Sequence, residues 1–469
     1  MTIGRWLMLM TTLSVVAACA APRVNAPAAP EVPAEFSGTS GAESHWPTQD
    51  WYRAFGSDEL NSLIDAAATA NFDVQAARAR VLQADARARQ AGAGILPTVI
   101  AEGGINFLTG HSSNGGGHET DWSALLSASY EVDFWGRKQA AVESATMQVA
   151  AARAERDAVA LTTLAGVADS YFQLLALRER VAVAESNVET SQQLLRAIEA
   201  RANVAMAGPI DVAGQKAVVS AAQIQTTELR RSEAEATTAL SFLLGRAPEG
   251  FSVSGQPLDA LQEPAIEAGL PSELLTRRPD VFLAEANLRA GQADLAAARA
   301  AMLPTLSLTA SGGVQNPALS AAVLTIPGAG PSLAIGANLL QPIFDHGRLR
   351  TQREEVEARQ RELLVQYRAA IIAAFNDVEN ALTALHYLDQ AREFHQANVE
   401  QSELMLAGMR ERYQVGTTDM QGLLDAQRSL YAARDQLIQN KVARLQAIVG
   451  LAKALGGGWN HSQASGSEP

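Results

Sequence analysis

Two periodicities divide this chain. From Trp122 the even positions carry Trp122, Ala124, Leu126, Ala128, Tyr130, Val132 and Phe134, and the odd ones Ser123, Leu125, Ser127, Ser129, Glu131 and Asp133. Alternation of period two over that length predicts a strand with one apolar face. Val99, Ala101, Ile105 and Phe107 alternate after Pro97; Leu306, Leu308 and Ala310 alternate with Thr305, Ser307, Thr309 and Ser311; Leu333, Ile335, Ala337 and Leu339 form a fourth run. Strands are expected at about 97–109, 121–134, 304–314 and 332–342. Roughly ten residues each, with aromatics at an end, suit the wall of a transmembrane β-barrel; a soluble sandwich is the alternative. Four strands are too few for either structure alone, and an open edge cannot sit in lipid, so a barrel here requires several chains.

The second periodicity is helical and long. Lys138 to Met206 contains no proline, nor does Arg348 to Gln414. About 70 residues at roughly 1.5 Å each span about 105 Å. Each helix is expected to double back at a short turn and return, to about Leu244 and Leu455. Leu423, Leu430 and Leu437 repeat by seven, as do Leu424, Tyr431, Ile438, Leu445 and Ala452. Such columns indicate helices packed side by side as coiled coils.

The chain also repeats itself. Asp73 aligns with Asp280 and Pro97 with Pro304, an offset of 207; Gly136 aligns with Gly347, Arg201 with Arg412 and Gly245 with Gly456, an offset of 211. A fixed long-range offset marks a duplication. Each half reads as a helix, a β-hairpin and a long helical hairpin, so the fold is mainly α with a transmembrane β portion. The divisions are 1–18, a signal peptide; 19–57, a tether; 58–250, the first repeat; 251–271, a linker; 272–456, the second repeat; and 457–469, a tail.

Composition changes the picture at the N-terminus. Arg5, an apolar run from Trp6 to Val16 and small residues at Ala17 and Ala18 form a secretory signal too short to span a bilayer. The only cysteine, Cys19, follows at once, and Val16-Ala17-Ala18-Cys19 resembles a bacterial lipobox, whose cysteine carries diacylglycerol and an N-acyl chain. Several acyl chains hold a protein firmly on a membrane. A stray cysteine in a signal peptide is the plainer alternative. Ala20 at the second mature position, rather than Asp, resembles lipoproteins sorted to the outer membrane. A single cysteine leaves the fold without a disulfide, to be held by packing. The 37 basic and 50 acidic residues become 36 and 50 once residues 1–18 and Arg5 are gone, a net of −14, with no Lys/Arg block to suit nucleic acid.

No catalytic constellation is present. The glycine-rich stretch Gly103 to His118 lacks the Gly-Lys-Ser/Thr of a phosphate loop and reads as a surface loop between strands; His111 and His118 are weak metal candidates, and no metal or soluble cofactor is expected. The seven histidines include no His-Glu-x-x-His, and Glu354-Glu355 reads as solvated charge on a helix. Three classes of function remain: a transport duct, a coiled-coil envelope stalk without channel activity, and a lipid-held surface enzyme for which the sequence offers no acid–base pocket.

Several stretches together resemble the outer-membrane factor family, the TolC/OprM-type exit ducts of efflux systems. They are WPTQDWYRAFGSDELNSLI near the start, RRPDVFLAEANLRA from Arg277, the LPT strand entries, RYQVGTTDMQGLLDAQRSLYAA from Arg412, and LGGGW from Leu455. The lipobox and the LGGGW end look more like the OprM/NodT branch than TolC itself. The resemblance implies a homotrimer with a 12-stranded β-barrel in the outer membrane of a Gram-negative bacterium and a 12-helix α-barrel in the periplasm. It also implies docking on a periplasmic adaptor and an inner-membrane pump, of the resistance-nodulation-division type by the OprM/NodT likeness. In the family the periplasmic helix turns form an aperture that opens like an iris. By that resemblance Asp211 falls on a carboxylate that bonds the opposite turn, Tyr413 on the tyrosine of the closed-state lock, and Asp425 on a constricting acidic ring; Ala205, Gly208, Gly416 and Thr417 fall on the adaptor-docking tips. Three carboxylates around a narrow pore would act as a charge gate. This chain departs from the pattern at Gly422, where a second ring carboxylate is usual, at Thr418, where the lock arginine is usual, and at Ala205, where glycine is usual. The lock is therefore looser, or made differently with Arg410, Arg412 or Asp419.

Overall fold

The computed structural model describes residues 36, 46–112, 115–266, 269, 271–316 and 330–459. The expected signal peptide, Cys19, most of the tether and most of the tail lie outside the described residues. The first repeat runs α1 (Asp58–Ala70), α2 (Phe72–Ala93), β1 (Thr98–Ser112), β2 (Gly115–Val132), α3 (Arg137–Asn203) and α4 (Pro209–Leu243); the second runs α5 (Pro271–Arg277), α6 (Pro279–Ala300), β3 (Thr305–Asn316), β4 (Gly330–Leu340), α7 (Arg348–Gln414) and α8 (Met420–Ala454). The duplication reaches the helix boundaries. Helices α2 and α6 have 22 residues each, α3 and α7 have 67, and α4 and α8 have 35, at the offsets of 207 and 211 read from the sequence. At about 1.5 Å per residue, α3 and α7 are each about 100 Å long.

The four strands form one antiparallel sheet in the order β1-β2-β3-β4. Its register gathers the apolar positions. Val99 pairs with Ala128, Ala101 with Leu126 and Ile105 with Trp122; Tyr130 pairs with Leu308 and Ala128 with Ala310; Leu306 pairs with Leu339 and Ala310 with Ile335. Paired residues point to the same side of a sheet, so all four strands share one apolar face. The opposite face is mostly polar, with Thr98, Ser127, Ser129, Ser307, Thr309, Ser311 and Asn338, and carries Ile100, Leu125 and Leu340 among them. The apolar face is bare: Val99, Ile105, Leu333, Ile335 and Leu339 are all exposed. Among the described residues, the two outer strands, β1 and β4, each have one unpaired edge.

The strands are longer than the alternation suggested. Residues 110–112 and 115–120, beyond the expected strands, belong to β1 and β2, which pair without a break as far as Ser112 and Gly115, so the glycine-rich stretch read as a surface loop is largely strand. Glycine disfavours a strand by entropy but does not prevent ladder hydrogen bonds, and pairing with a partner overrides the local preference. Strand β4 ends two residues earlier than expected, before Pro342, whose ring removes a donor.

Helices pack mainly where the long pair is thickest. Tyr171, Phe172 and Leu174 of α3 are fully buried among Phe55, Leu60 and Ile64 from the start of the chain and Val449 and Ala452 of α8. Helix α3 holds an 18-residue window apolar enough for a membrane span, of which 44% is buried in the protein. A smaller core joins Phe36, Leu274, Val281, Phe375 and Leu451, with Phe36 and Phe375 rings 6.4 Å apart. Thus a tether residue docks on the second repeat. The arginine of the Arg-Arg-Pro-Asp stretch, Arg278, is 8% exposed. It donates to Asp280 (2.6 Å), Asp377 (2.8 Å) and the carbonyls of Ala374 and Ala454. A buried guanidinium needs such partners to offset desolvation. At the two return-helix ends, Gly245 (φ 65°) and Gly456 (φ 88°) are left-handed, and a Cβ on either would overlap the carbonyl oxygen of Ala70 or Arg277. Those positions accept only glycine.

Candidate functional site: the two hairpin turns

Helices α3 and α4 turn at residues 204–208, and α7 and α8 at 415–419. Both turns close the same way. Met206 N–H donates to the carbonyl of Arg201 (2.8 Å), and Thr417 N–H to that of Arg412 (2.9 Å). That closure needs a left-handed residue at C′. The second turn has Gly416 (φ 74°), but the first has Ala205 (φ 56°). An alanine there costs about 1–2 kcal/mol, because its Cβ crowds the following carbonyl.

The next helices are capped by carboxylates in different places. Asp211 accepts from the N–H of Gly208 (2.8 Å), three residues earlier. Asp419 accepts from the N–H of Gly422 (3.0 Å), three residues later. In the protomer, then, Asp211 is engaged within its own turn. Thr417 Oγ1 donates to the Arg412 carbonyl (3.1 Å), which fixes the tip of the second turn. Gly416 and Thr417 are exposed, as is Ala205, while Gly208 is half-buried.

Tyr413 is half-buried against Leu406, Leu423 and Leu430. The guanidinium of Arg201, at the end of α3, lies 4.7 Å above its ring, and Arg201 Nη1 donates to the Tyr413 carbonyl (3.2 Å). This cation–π stack and hydrogen bond tie the first hairpin to the second at the tip. Residues Arg410, Arg412 and Asp419, considered from the sequence as substitutes for the missing lock arginine, do not make this tie; Arg412 uses its carbonyl and Asp419 caps α8. Arg201 was visible in the sequence only as the copy of Arg412, with nothing to show that it reaches Tyr413.

Asp425 is exposed on α8, where Gln421 Nε2 donates to both carboxylate oxygens (3.1 Å) and Arg428 approaches to 3.6 Å. Farther up, the seam between α3 and α8 is polar. Gln427 donates to Ser191 Oγ (2.7 Å) and Asn187 (3.2 Å), and Arg180 donates to Asp435 (2.6 Å). Beyond that, burial lifts Asp169 to about 6, against the weaker opposing pull of Lys453. Among the described residues no group of three His, Cys, Asp or Glu side chains could hold a metal.

The family described as "Outer membrane efflux protein" matches residues 63–246 and 270–457. The chain is 41% identical over 472 residues to the pyoverdine export outer membrane protein OpmQ of Pseudomonas aeruginosa, covering 96% of this chain and 98% of that protein. It is 29% identical over 457 residues to the cation efflux system protein CusC of Escherichia coli, covering 95% and 97%. The solved open-state MtrE outer membrane channel of Neisseria gonorrhoeae superposes with a TM-score of 0.81 at 30% identity, covering 91% of this chain and 96% of that one.

Proposed function

The chain belongs to the outer membrane efflux protein family, and from that premise we propose how this member is built, anchored and gated. It is an outer-membrane efflux channel with the fold of the family's solved channels. Channels of this family are trimers that work with a periplasmic adaptor and an inner-membrane pump. We read this chain as a homotrimer held by acyl chains on Cys19, with its helices in the periplasm and a pump of the resistance-nodulation-division type upstream.

One observation carries the channel reading. The sheet has a continuous bare apolar face, a mostly polar opposite face and two unpaired edges, above helices about 100 Å long. Unpaired strand edges are not tolerated in lipid. Edge-to-edge closure of three copies leaves the apolar face to lipid and lines the lumen with hydroxyls. A stalk would have no use for that face.

The gate is assigned to the two turns. Asp425 faces the lumen, where three copies repel one another and attract cations. Tyr413, held by Arg201, keeps the hairpins together when the aperture is closed, and Asp211 stiffens the first turn. Ala205, Gly208, Gly416 and Thr417 meet the adaptor. OpmQ is named for pyoverdine export and CusC for cation efflux. The cargo here is a small solute chosen upstream by the pump.

A cysteine placed at Ala207 or Thr417, cross-linked in intact cells, is expected to capture a periplasmic adaptor identifiable by mass spectrometry. Capture of no periplasmic protein at either turn would overturn the docking assignment. The purified full chain is expected to have the mass of a trimer and to conduct ions in a planar bilayer, with Asp425→Ala raising closed-state conductance and lowering cation preference. Unchanged conductance and selectivity would remove Asp425 from the gate. Cys19→Ala is expected to block acylation and processing while folded trimer still forms; loss of all trimer would sink that separation of anchor from fold.

A further inference from the structure

A trough runs between the two hairpins, with α8 as its floor and α3 and α7 as its walls. Near the turns it widens to about 590 Å³, within the roughly 300–1,000 Å³ usual for small-molecule sites. Its floor and walls are apolar at Leu194, Leu406 and Leu423, of which Leu406 and Leu423 are buried. Its charges are all of one sign. Arg201, Arg410 and Arg434 line it, and no Asp or Glu does, in a chain whose net charge is −13. Arg201 is spent on Tyr413 and Arg434 on Glu403 (2.7 Å). Arg410, which lines both the narrow and the wide part, has no hydrogen-bond or ion-pair partner among the described residues.

The trough also has a definite side. An α-helix turns about 100° per residue. On α8, Gln427, Leu430 and Arg434 therefore stay within about 40° of Leu423, whereas Asp425 lies about 200° away. The trough is on the face of α8 opposite Asp425. With Asp425 in the lumen, it opens to the periplasm.

We propose that this trough binds an amphiphilic anion, a carboxylate or sulfonate on an apolar body of about ten carbons. The anionic head pairs with Arg410, whose planar guanidinium suits a two-oxygen acceptor. The tail lies on Leu406, Leu423 and Leu194 in place of water. Because the ligand touches α3, α7 and α8 together, it favours the arrangement in which the hairpins are adjacent, by as much as it binds that arrangement better than one in which they part. This consequence for gating rests on the channel reading above; the binding itself does not.

The test uses the full-length protein in lipid nanodiscs with a photoreactive diazirine derivative of decanoate. Saturable labelling of peptides containing Leu194, Met206 or Leu406, displaced by decanoate, is expected. Arg410→Gln should weaken it about tenfold, the size of one charge-assisted hydrogen bond, and Arg410→Lys, which keeps the charge but loses the fork, should recover only part of it. Equal labelling by the uncharged decanol analogue, no change in Arg410→Gln, or label confined to the strands would overturn the site. In planar bilayers decanoate on the side of the helical turns is expected to lower the open fraction several-fold, and to do so far less in Arg410→Gln. Labelling without any change in open fraction would leave the site standing and overturn its link to the gate. A protein that labels but never conducts would contradict the channel reading instead.

Discussion

The two hairpin turns are copies 211 residues apart, and they cap the following helix with the carboxylate moved. In the first turn the pair is Gly208 and Asp211; in the second it is Asp419 and Gly422. Both arrangements satisfy one orphan N–H at a helix start. From the sequence, Gly422 reads as a lost ring carboxylate. In the structure the capping role at the second turn has passed to Asp419, and a Cβ on Gly422 would come within 3.3 Å of Thr418 Oγ1. The turns also differ in strain, since Ala205 occupies the left-handed position that Gly416 fills freely. Duplicated turns thus conserve the backbone path while its hydrogen bonds are redistributed.

The largest difference between the repeats is expected higher up, at Asp169, whose copy at the same offset is Asn380. Burial raises the Asp169 carboxyl to about 6, against about 4 in an unfolded chain. The folded state therefore binds the proton more tightly. Stability is highest below pH 4 as far as this group is concerned, and falls as pH rises through 4 to 6. Asp169→Asn, which copies the second repeat, is expected to stabilise the trimer near neutral pH by on the order of 2 kcal/mol per chain. It should also flatten the denaturation profile between pH 4 and 7. An unchanged profile would show that Asp169 is not the group responsible.

Next in size is the tie across the hairpins. Arg201→Ala removes a stacked guanidinium and a hydrogen bond, together about 1–2 kcal/mol, and should raise closed-state conductance roughly tenfold. Arg412→Ala, its copy, should change conductance much less; equal effects would erase the asymmetry between the turns. The caps come third. Asp211→Ala and Asp419→Ala should each weaken their turn by about 1 kcal/mol, read as faster hydrogen exchange at Gly208 or Gly422. The double change Gly208→Asp with Asp211→Gly gives the first turn the second turn's pattern and should restore protection; failure would mean the two caps are not equivalent. The left-handed positions come last. Ala205→Gly should slow exchange in the first turn and Gly416→Ala should speed it in the second, each by about 1 kcal/mol, the roughly 1–2 kcal/mol left-handed penalty less the backbone entropy that glycine loses on folding.

Much of the architecture was legible because it depends on periodicities that the sequence states outright. Period two marked the strand faces, the long proline-free stretches marked the long helices, heptad columns marked the packing of the last helix, and the constant offsets of 207 and 211 marked the repeat. The extension of β1 beyond Thr109 and of β2 back to Gly115 was not legible, because glycine signals a turn locally and only the partner strand's ladder draws it into the sheet. At the turns, the backbone oddity at Ala205 could be read from its copy Gly416. The reach of Arg201 to Tyr413 could not, since it joins residues 212 apart on helices whose rotation about one another no local pattern specifies.

What the sequence by itself determined is the set of elements and their faces, since an alternating strand or a heptad helix buries the same side wherever it is placed. Only the tertiary structure decided which charges meet across the seam, that Arg201 reaches Tyr413, and that Arg410 is left facing the trough between the hairpins. The seam contacts depend on distances of about 3 Å between groups more than 200 residues apart, and such distances are set by packing.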